Sequence, residues 1–203
     1  RLGNIVHGAL EDWRSPDENG KTPKPKFGAL MQHYERWASD PRYSVDLEFY
    51  EDGKALIRRW FDRRGREPIR VLAVEQPMGS HSAPFRLDNG VPIFGYIDLI
   101  VEHKDGTIEL IDYKTNRANK TQDEANNDVQ AGIYLAYARQ MWPDRPLRFS
   151  FEMLRYGVVS TVWDDERIES FKGWLKTQYE SIKSLTKGNP SIGDSCRWCP
   201  YQT

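Results

Sequence analysis

The chain has 203 residues, of which 38% are hydrophobic and 29% charged, and its net charge is −1. This length suits one domain with a substantial core, and the near-neutral charge excludes a protein that binds nucleic acid through its overall charge, so that such contacts would need local basic patches. We find no apolar run of membrane-spanning length and no signal peptide, and two cysteines do not make a disulfide framework, so the expected location is the cytoplasm.

A helix is predicted over residues 1–14, because apolar residues recur there at helical spacing and form one stripe. His7 lies beside that stripe, a position that by itself is typical of a packed or capping histidine. A polar loop follows, and two further helices are predicted over 27–39 and 46–64.

The end of the third predicted helix carries five arginines interleaved with Trp60 and Phe61. Arginines can hold phosphates and exposed aromatic rings can stack on bases, so this stretch is a candidate contact for nucleic acid. A solvated cationic helix end, stabilised by the helix dipole, is an equally good alternative.

From residue 68 onward the pattern changes to that of strands. A strand is predicted over 69–78, and a hairpin then leads into a central pair of strands. Glu75 stands late in the first strand, where it is equally well explained as a plain edge-strand residue or as part of a polar site.

The central pair consists of two apolar runs, each interrupted by one aspartate, Asp98 or Asp112, and joined by a polar break that ends at Gly106. This pattern predicts a β-hairpin. A two-residue turn would put the aspartates on opposite faces, whereas a three-residue loop with Gly106 at positive φ sets them directly opposite one another. We favour the three-residue loop because it gathers Asp98, Asp112 and Lys114 on one face.

Two carboxylates on one face repel each other unless a cation lies between them, and hard divalent cations take such oxygen ligands. A lysine beside them can stabilise charge that develops on a phosphate, or help to orient and deprotonate a water. For any one of these residues, a surface-facing side chain on an ordinary hairpin is the simpler interpretation. The presence of all three residues, Asp98, Asp112 and Lys114, in one strand–turn–strand unit favours a functional site.

A capping box that begins at Thr121 predicts a long helix running to residue 142. Gln130 and Tyr134 are four residues apart on that helix and share a face, although Tyr134 also suits a core stripe. A further hairpin and a last helix follow. This order of elements predicts an α/β fold with a central mixed β-sheet and flanking helices.

The motifs Gly-x-x-Asp, ending at Asp98, and Ile-Asp-Tyr-Lys-Thr, containing Asp112, resemble the core of the PD-(D/E)xK nuclease superfamily. They resemble in particular its RecB-like branch, which includes the CRISPR-associated adaptation nucleases. The proline of the superfamily's name is absent, since Ile97 precedes Asp98, but the RecB-like branch commonly has Gly-x-x-Asp at this place. The resemblance extends over nearly the whole chain and implies a restriction-endonuclease-like core.

The resemblance also implies roles for single residues. A helix with Gly-x-x-x-His-x-x-Leu-Glu supplies a metal-binding histidine in the RecB-like branch, and a Gln-x-x-x-Tyr motif is taken to contact DNA or to support the site. The implied ligands of Mg²⁺ or Mn²⁺ are His7, Asp98, Asp112, the carbonyl of Tyr113, and Glu75. The implied catalytic residues are Lys114, Asp98, Asp112, Gln130 and Tyr134.

The C-terminal segment 190–203 carries Cys196-x-x-Cys199, the ligand spacing of a zinc or iron–sulfur site. Such a site needs about four ligands, and the chain has two cysteines. Iron–sulfur members of the RecB-like branch take one cysteine before the histidine motif and the others near the C terminus. The resemblance therefore implies a remnant of a cluster motif, whose iron–sulfur cluster would be complete in a longer parent chain. An ordinary tail that carries two thiols is the alternative.

The predicted function is a metal-dependent DNA nuclease, an exonuclease, in a single domain over 1–203. Its substrate would be DNA that is single-stranded or has free ends, in repair, recombination or the processing of phage or CRISPR DNA. It would act at the nucleoid or in a phage-infected cell, as part of a larger helicase–nuclease or repair assembly. It is not expected to bind a membrane. The alternative is a catalytically idle DNA-binding or scaffolding module, against which the intact Asp…Asp-x-Lys argues. An unrelated metal hydrolase of small substrates is disfavoured by the arginine-rich stretch.

Overall fold

The computed structural model describes residues 2–16, 25–43, 45–67, 69–186, 193 and 196–197. The helices are α1 (Leu2–Arg14), α2 (Phe27–Ala38), α3 (Leu47–Trp60), α4 (Gln122–Asn126), α5 (Val129–Met141) and α6 (Asp165–Ser184), and a π-helical turn, Phe61–Gly65, continues α3. The strands are β1 (Arg70–Pro77), β2 (Phe85–Arg86), β3 (Pro92–Ile93), β4 (Tyr96–Glu102), β5 (Ile108–Lys114), β6 (Leu147–Met153) and β7 (Gly157–Thr161). None of these helices combines the length and the apolar character needed to cross a membrane.

A five-stranded sheet in the order β1-β4-β5-β6-β7 forms the centre of the fold. β5 and β6 are parallel and the other neighbours pair antiparallel, so the sheet is mixed. A parallel pair needs a crossover connection, which α4 and α5 provide. β2 and β3 form a separate two-stranded sheet, as the predicted hairpin requires. The predicted α/β fold with a mixed sheet and flanking helices is confirmed.

Helices cover both faces of the sheet. α5 packs on one face, where Leu135 and Leu110 belong to one buried cluster. α1, α2 and α3 cover the other face, where Ile111 belongs to a second cluster. Because side chains alternate along a strand, Asp112 and Lys114 lie on the same face as Leu110, the one that α5 covers.

The prediction of one continuous helix from Thr121 to residue 142 is wrong, because the structure has two helices there, α4 and α5. Thr121 forms the predicted capping box, but α4 ends after one and a half turns and Asn127 closes it. The side chain of Asp128 then accepts hydrogen bonds from the backbone N–H groups of Gln130 and Ala131. Asn and Asp compete with helical hydrogen bonds through such local contacts, which explains why the break falls at these two residues.

The arginine-rich stretch packs against the sheet instead of facing solvent throughout. Trp60 and Phe61 are each only 2% exposed. Arg64 pairs with the buried Glu109, with 2.9 Å between Nη2 and Oε2. The interpretation that Trp60 and Phe61 stack on bases is therefore wrong, because both rings lie in the core. The alternative of a solvated helix end is also wrong for Arg64.

Candidate active site

The candidate site lies where β4 and β5 meet, at the end away from their connecting loop. At the loop, His103 N–H donates to the Thr107 carbonyl over 2.9 Å, and Gly106 has a φ of +89°. The three-residue loop is thus confirmed. The same register runs along the paired strands, and its continuation sets Asp98 opposite Asp112.

Backbone pairing between β4 and β5 stops one step before this acidic pair, at Leu99 and Ile111. Beyond that point, Oδ2 of Asp98 accepts a hydrogen bond of 2.7 Å from the backbone N–H of Tyr113. The Asp98 carboxylate thus replaces a backbone carbonyl as the acceptor, and the Tyr113 N–H keeps a hydrogen-bond partner. Asp98 is therefore held against the strand that carries Asp112.

Asp112 is only 5% exposed and is held by two side chains. Its Oδ1 accepts a hydrogen bond of 2.7 Å from Nε2 of Gln130, and its Oδ2 lies 2.7 Å from Nζ of Lys114. Lys114 in turn donates to Oε1 of Gln130 over 3.1 Å. The amide of Gln130 thus contacts the carboxylate and the ammonium at once and fixes their relative positions.

Helix α5 links this cluster to the first residue of β4. Gln130 also contacts the hydroxyl of Tyr134, at 3.1 Å, and that hydroxyl donates to the carbonyl of Tyr96 over 2.7 Å. Asp128 caps the helix two residues before Gln130. The structure brings both members of the predicted Gln-x-x-x-Tyr motif to the site, Gln130 in contact with Asp112 and Tyr134 behind it.

His7 reaches the same place from α1. Its Nδ1 lies 3.5 Å from Oδ2 of Asp98, and its ring meets the Tyr113 ring edge-on at 5.9 Å between centroids. The side chain is 31% exposed, so the histidine stands at the rim of the site. His7 is therefore not a packed core residue.

Glu75 lies in β1 beside Asp98. Its neighbours Val74 and Gln76 pair with Leu99 and Ile97 of β4, which places Glu75 across from Asp98. Its φ of +46° is the one positive value among the described residues other than glycine, a strained conformation that tends to occur at functional positions. Burial and then the negative charges of Asp98 and Glu11 raise its pKa to about 7.

Glu11 belongs to this group as well, although the sequence did not mark it as a site residue. It follows His7 by one helical turn on α1 and so projects in a similar direction. Burial raises its pKa first, and Asp12 and Asp98 raise it further. The signal that could have identified it is the four-residue spacing from His7 within the same motif.

The site contains more acidic groups than its own cations balance. Burial raises the pKa of Asp98, as does the charge of Asp112, whereas His7, the Tyr113 N–H and Lys114 oppose the rise. A raised carboxyl pKa in such a cluster means that the ionised form lacks sufficient stabilisation. An added cation would supply it.

Among the described residues, no group of three or more His, Cys, Asp or Glu side chains is arranged to hold a metal ion. The Tyr113 N–H binds Asp98, and the Lys114 ammonium lies against Asp112. Oδ2 of Asp112 nevertheless is buried and receives no well-aligned hydrogen bond. A buried carboxylate oxygen that lies against an ammonium but accepts no aligned hydrogen bond, beside a second carboxylate and an imidazole, belongs to a donor set that fits Mg²⁺ or Mn²⁺.

The cysteine pair cannot be placed beside this site. Cys196 lies in a short helical turn, whereas Cys199 and most of 190–203 lie outside the described residues. The iron–sulfur interpretation of the tail stays a prediction.

Comparison with known proteins bears on the whole chain. A search of curated proteins finds no match. The family model for the PD-(D/E)XK nuclease superfamily matches residues 1–203, which include both aspartates and the lysine of the hairpin. The chain therefore belongs to the PD-(D/E)XK nuclease superfamily.

Proposed function

We propose that this protein is a deoxyribonuclease that depends on a divalent metal ion and hydrolyses phosphodiester bonds. One observation carries the proposal: Asp98, Asp112 and Lys114 converge at one end of the hairpin, and Oδ2 of Asp112 is buried without an aligned donor. Membership of a superfamily whose members are usually metal-dependent nucleases supports it.

Mg²⁺ or Mn²⁺ would be held by Asp98, Asp112, His7 and the main-chain carbonyl of Tyr113, with Glu75 beside them. When bound, such an ion supplies a Lewis acid that offsets phosphate charge and favours the ionisation of water. The excess of carboxylates that raises the pKa of Asp98 is the electrostatic reason for expecting a cation here.

In hydrolysis the water oxygen bonds to phosphorus, the bond to the leaving oxygen breaks, and the proton that water loses is balanced by one that the leaving oxygen gains. Negative charge on the phosphate oxygens must be stabilised throughout. Lys114 is the ammonium in place for this, because Gln130 and Asp112 hold its Nζ at the carboxylates. Gln130 and Tyr134 are positioning residues, since they orient Lys114 and Asp112 through α5.

We assign the protein to the RecB-like branch of the superfamily. His7 lies 3.5 Å from Asp98, and Gln130 contacts Asp112, so the two motifs that distinguish this branch both meet the carboxylates. On this basis the protein acts as an exonuclease on DNA that is single-stranded or has free ends. Its setting is DNA repair, recombination or the processing of phage or CRISPR DNA in the cytoplasm.

Residues 1–203 make up one nuclease domain in this proposal, in line with the extent of the family match. The Cys196-x-x-Cys199 spacing in the segment 190–203 is in this proposal a remnant of an iron–sulfur motif. The domain would then work within a larger helicase–nuclease or repair assembly.

The test is a cleavage assay with end-labelled linear DNA, single- and double-stranded, in Mg²⁺, Mn²⁺ or EDTA. A covalently closed single-stranded circle of the same sequence separates exonuclease from endonuclease action. We expect cleavage of the linear single strand with either metal, no cleavage in EDTA, and an intact circle.

The matched variants are Asp98→Asn at the site and Asp144→Asn, which changes an exposed aspartate in the turn before β6. Asp98→Asn should abolish cleavage and Asp144→Asn should leave it unchanged. A folded wild-type protein that binds DNA but cuts none of these substrates with either metal would favour the idle DNA-binding module instead.

A further inference from the structure

An open cleft of about 470 Å³ begins at the candidate site and continues past Lys114. Its lining includes His7 and Lys114 of the candidate site, together with Asn4, Thr115, Asn116 and Lys120. Among the described residues that line the cleft there is no aspartate or glutamate. In a chain with a net charge of −1, this cleft is a local surface of positive and amide groups.

Lys120 is the second ammonium in this cleft. Its Nζ lies 4.5 Å from the centre of the buried Phe151 ring, and Nζ of Lys114 lies 5.8 Å from the same centre. The two ammonium groups therefore lie beside the same ring, and the distance between them is no more than the sum of these two distances. The ring keeps both charges at the cleft, since a cation is attracted to an aromatic face.

The position of Lys120 is tied to the site through Asp128. Nζ of Lys120 donates to Oδ2 of Asp128 over 2.8 Å, while Oδ1 of Asp128 caps α5 by accepting from the Gln130 N–H over 2.7 Å. Gln130 then contacts Asp112. An ammonium has three N–H donors and Asp128 takes one, so Lys120 keeps donors for a ligand in the cleft.

We propose that this cleft binds the backbone phosphate adjacent to the scissile one, and that Lys120 is its principal contact. The inference rests on the proposed function and extends it to a second phosphate subsite. A strand held at Lys120 presents its neighbouring phosphodiester to Asp98, Asp112 and Lys114. Lys120 acts as a binding and positioning residue that fixes which bond is cut.

The test compares Lys120→Ala with Lys104→Ala, which removes an exposed lysine at the opposite end of the hairpin. The probe is a short fluorescent single-stranded oligonucleotide, and affinity is measured by anisotropy at several salt concentrations in EDTA, with Asp112→Asn as the common background. We expect Lys120→Ala to weaken binding about tenfold and to reduce the slope of log K against log salt by about 0.7, the value for one phosphate contact on a single strand. Lys104→Ala should change neither quantity. Unchanged affinity and slope in Lys120→Ala would overturn the proposal.

A purely structural role for Lys120, as the partner of Asp128, needs its own control. Asp128→Asn removes the ion pair but keeps a good helix cap, because Asn caps as well as Asp. If Lys120 binds phosphate, Asp128→Asn should bind DNA at least as tightly as the parent, since it removes a negative charge beside the lysine. A loss of affinity equal to that of Lys120→Ala would show that only the ion pair matters.

A neutral methylphosphonate placed at each position of the oligonucleotide in turn locates the contact. One position should weaken binding of the parent and have no effect in Lys120→Ala, and the bond cut by the otherwise wild-type enzyme should be adjacent to it. The absence of any such position would contradict the subsite. If the binding results fit the subsite but the protein cuts no DNA, the phosphate subsite in the cleft is supported. Only the proposed nuclease activity is then refuted.

Discussion

Strand β5 carries two buried carboxylates whose charges are balanced to different degrees. Glu109, near the hairpin loop, is 1% exposed and is surrounded by donors. Arg64 contacts it at 2.9 Å, His103 at 2.6 Å and Arg148 at 3.3 Å, and Ser150 donates to its other oxygen. Asp112, three residues further along, has one lysine and one amide.

The pKa shifts follow this difference. Burial favours the neutral form of Glu109, but the hydrogen bond and charge of Arg64, with Ser150 and Arg148, outweigh it and lower the pKa of Glu109 to about 2. Beside Asp112, in the neighbouring strands β4 and β1, burial and nearby carboxylates raise the pKa of Asp98 and bring that of Glu75 to about 7. The partners of Glu109 thus balance its charge by themselves, whereas the group of carboxylates around Asp112 retains an excess of acid that an added cation would balance.

The largest effect is expected when Asp112 or Lys114 is removed. We expect Asp112→Ala and Lys114→Ala each to lower the cleavage rate by about 10³-fold or more, because each removes a group at the reacting phosphate. Unfolding of Asp112→Ala without metal should show a melting temperature equal to or above that of the wild type, because repulsion with Asp98 is lost. Wild-type cleavage rates in either variant would contradict the mechanism.

The opposite outcome is expected at the balanced cluster. Glu109→Gln should lower the free energy of unfolding by about 3–5 kcal/mol in urea, because Arg64 is 11% exposed and loses its closest carboxylate. Glu51→Gln is the matched control, since Glu51 and its partner Lys54 are 57% and 46% exposed, and it should cost no more than about 1 kcal/mol. Folded Glu109→Gln should cleave normally, and a lost activity with intact stability would mean that the cluster serves catalysis.

Gly106 tests the register that brings the two aspartates together. A Cβ at this position would meet Arg145 at 3.6 Å, an ordinary contact, so the cost of Gly106→Val comes from the φ of +89°. We expect a loss of about 1–2 kcal/mol in urea unfolding, with some loss of cleavage from register drift. Gly173→Ala, in α6 with open space around it, should instead stabilise by about 0.5–1 kcal/mol. Equal effects of the two substitutions would refute the strain argument.

The smallest effect concerns pH. Because the pKa of Glu75 is raised to about 7 in the folded protein, the folded state binds the extra proton more tightly than the unfolded state does. Its contribution to stability is present below the ordinary glutamate pKa and is lost as pH rises through about 7. Metal-free Glu75→Gln should therefore lose less stability than the wild type between pH 5 and pH 8, as measured by urea unfolding in EDTA. Parallel curves for the two proteins would show that Glu75 does not titrate in this range.

Local rules were sufficient for the hairpin and for the caps. Once the three-residue loop is chosen over the two-residue turn, the two-residue alternation of strands fixes that Asp98 and Asp112 face each other and that Lys114 joins them. The capping box at Thr121 is local in the same way. The break at Asn127 and Asp128 is also local, and the helical spacing of the apolar residues around it obscured the capping preference of these two residues.

Tertiary structure alone decided which other groups share the site. A lone histidine carries no local signal for its partner, so only the packing of α1 shows that His7 lies beside Asp98. Glu11, the positive φ of Glu75, and the burial of Trp60 and Phe61 depend on how α1 and the π-helical turn pack against the sheet. The acidic pair follows from the sequence of the hairpin, because strand geometry repeats over two residues and Gly106 suits the three-residue loop that sets the register. The excess of negative charge around that pair was set by contacts between residues far apart in the chain, which no local periodicity encodes.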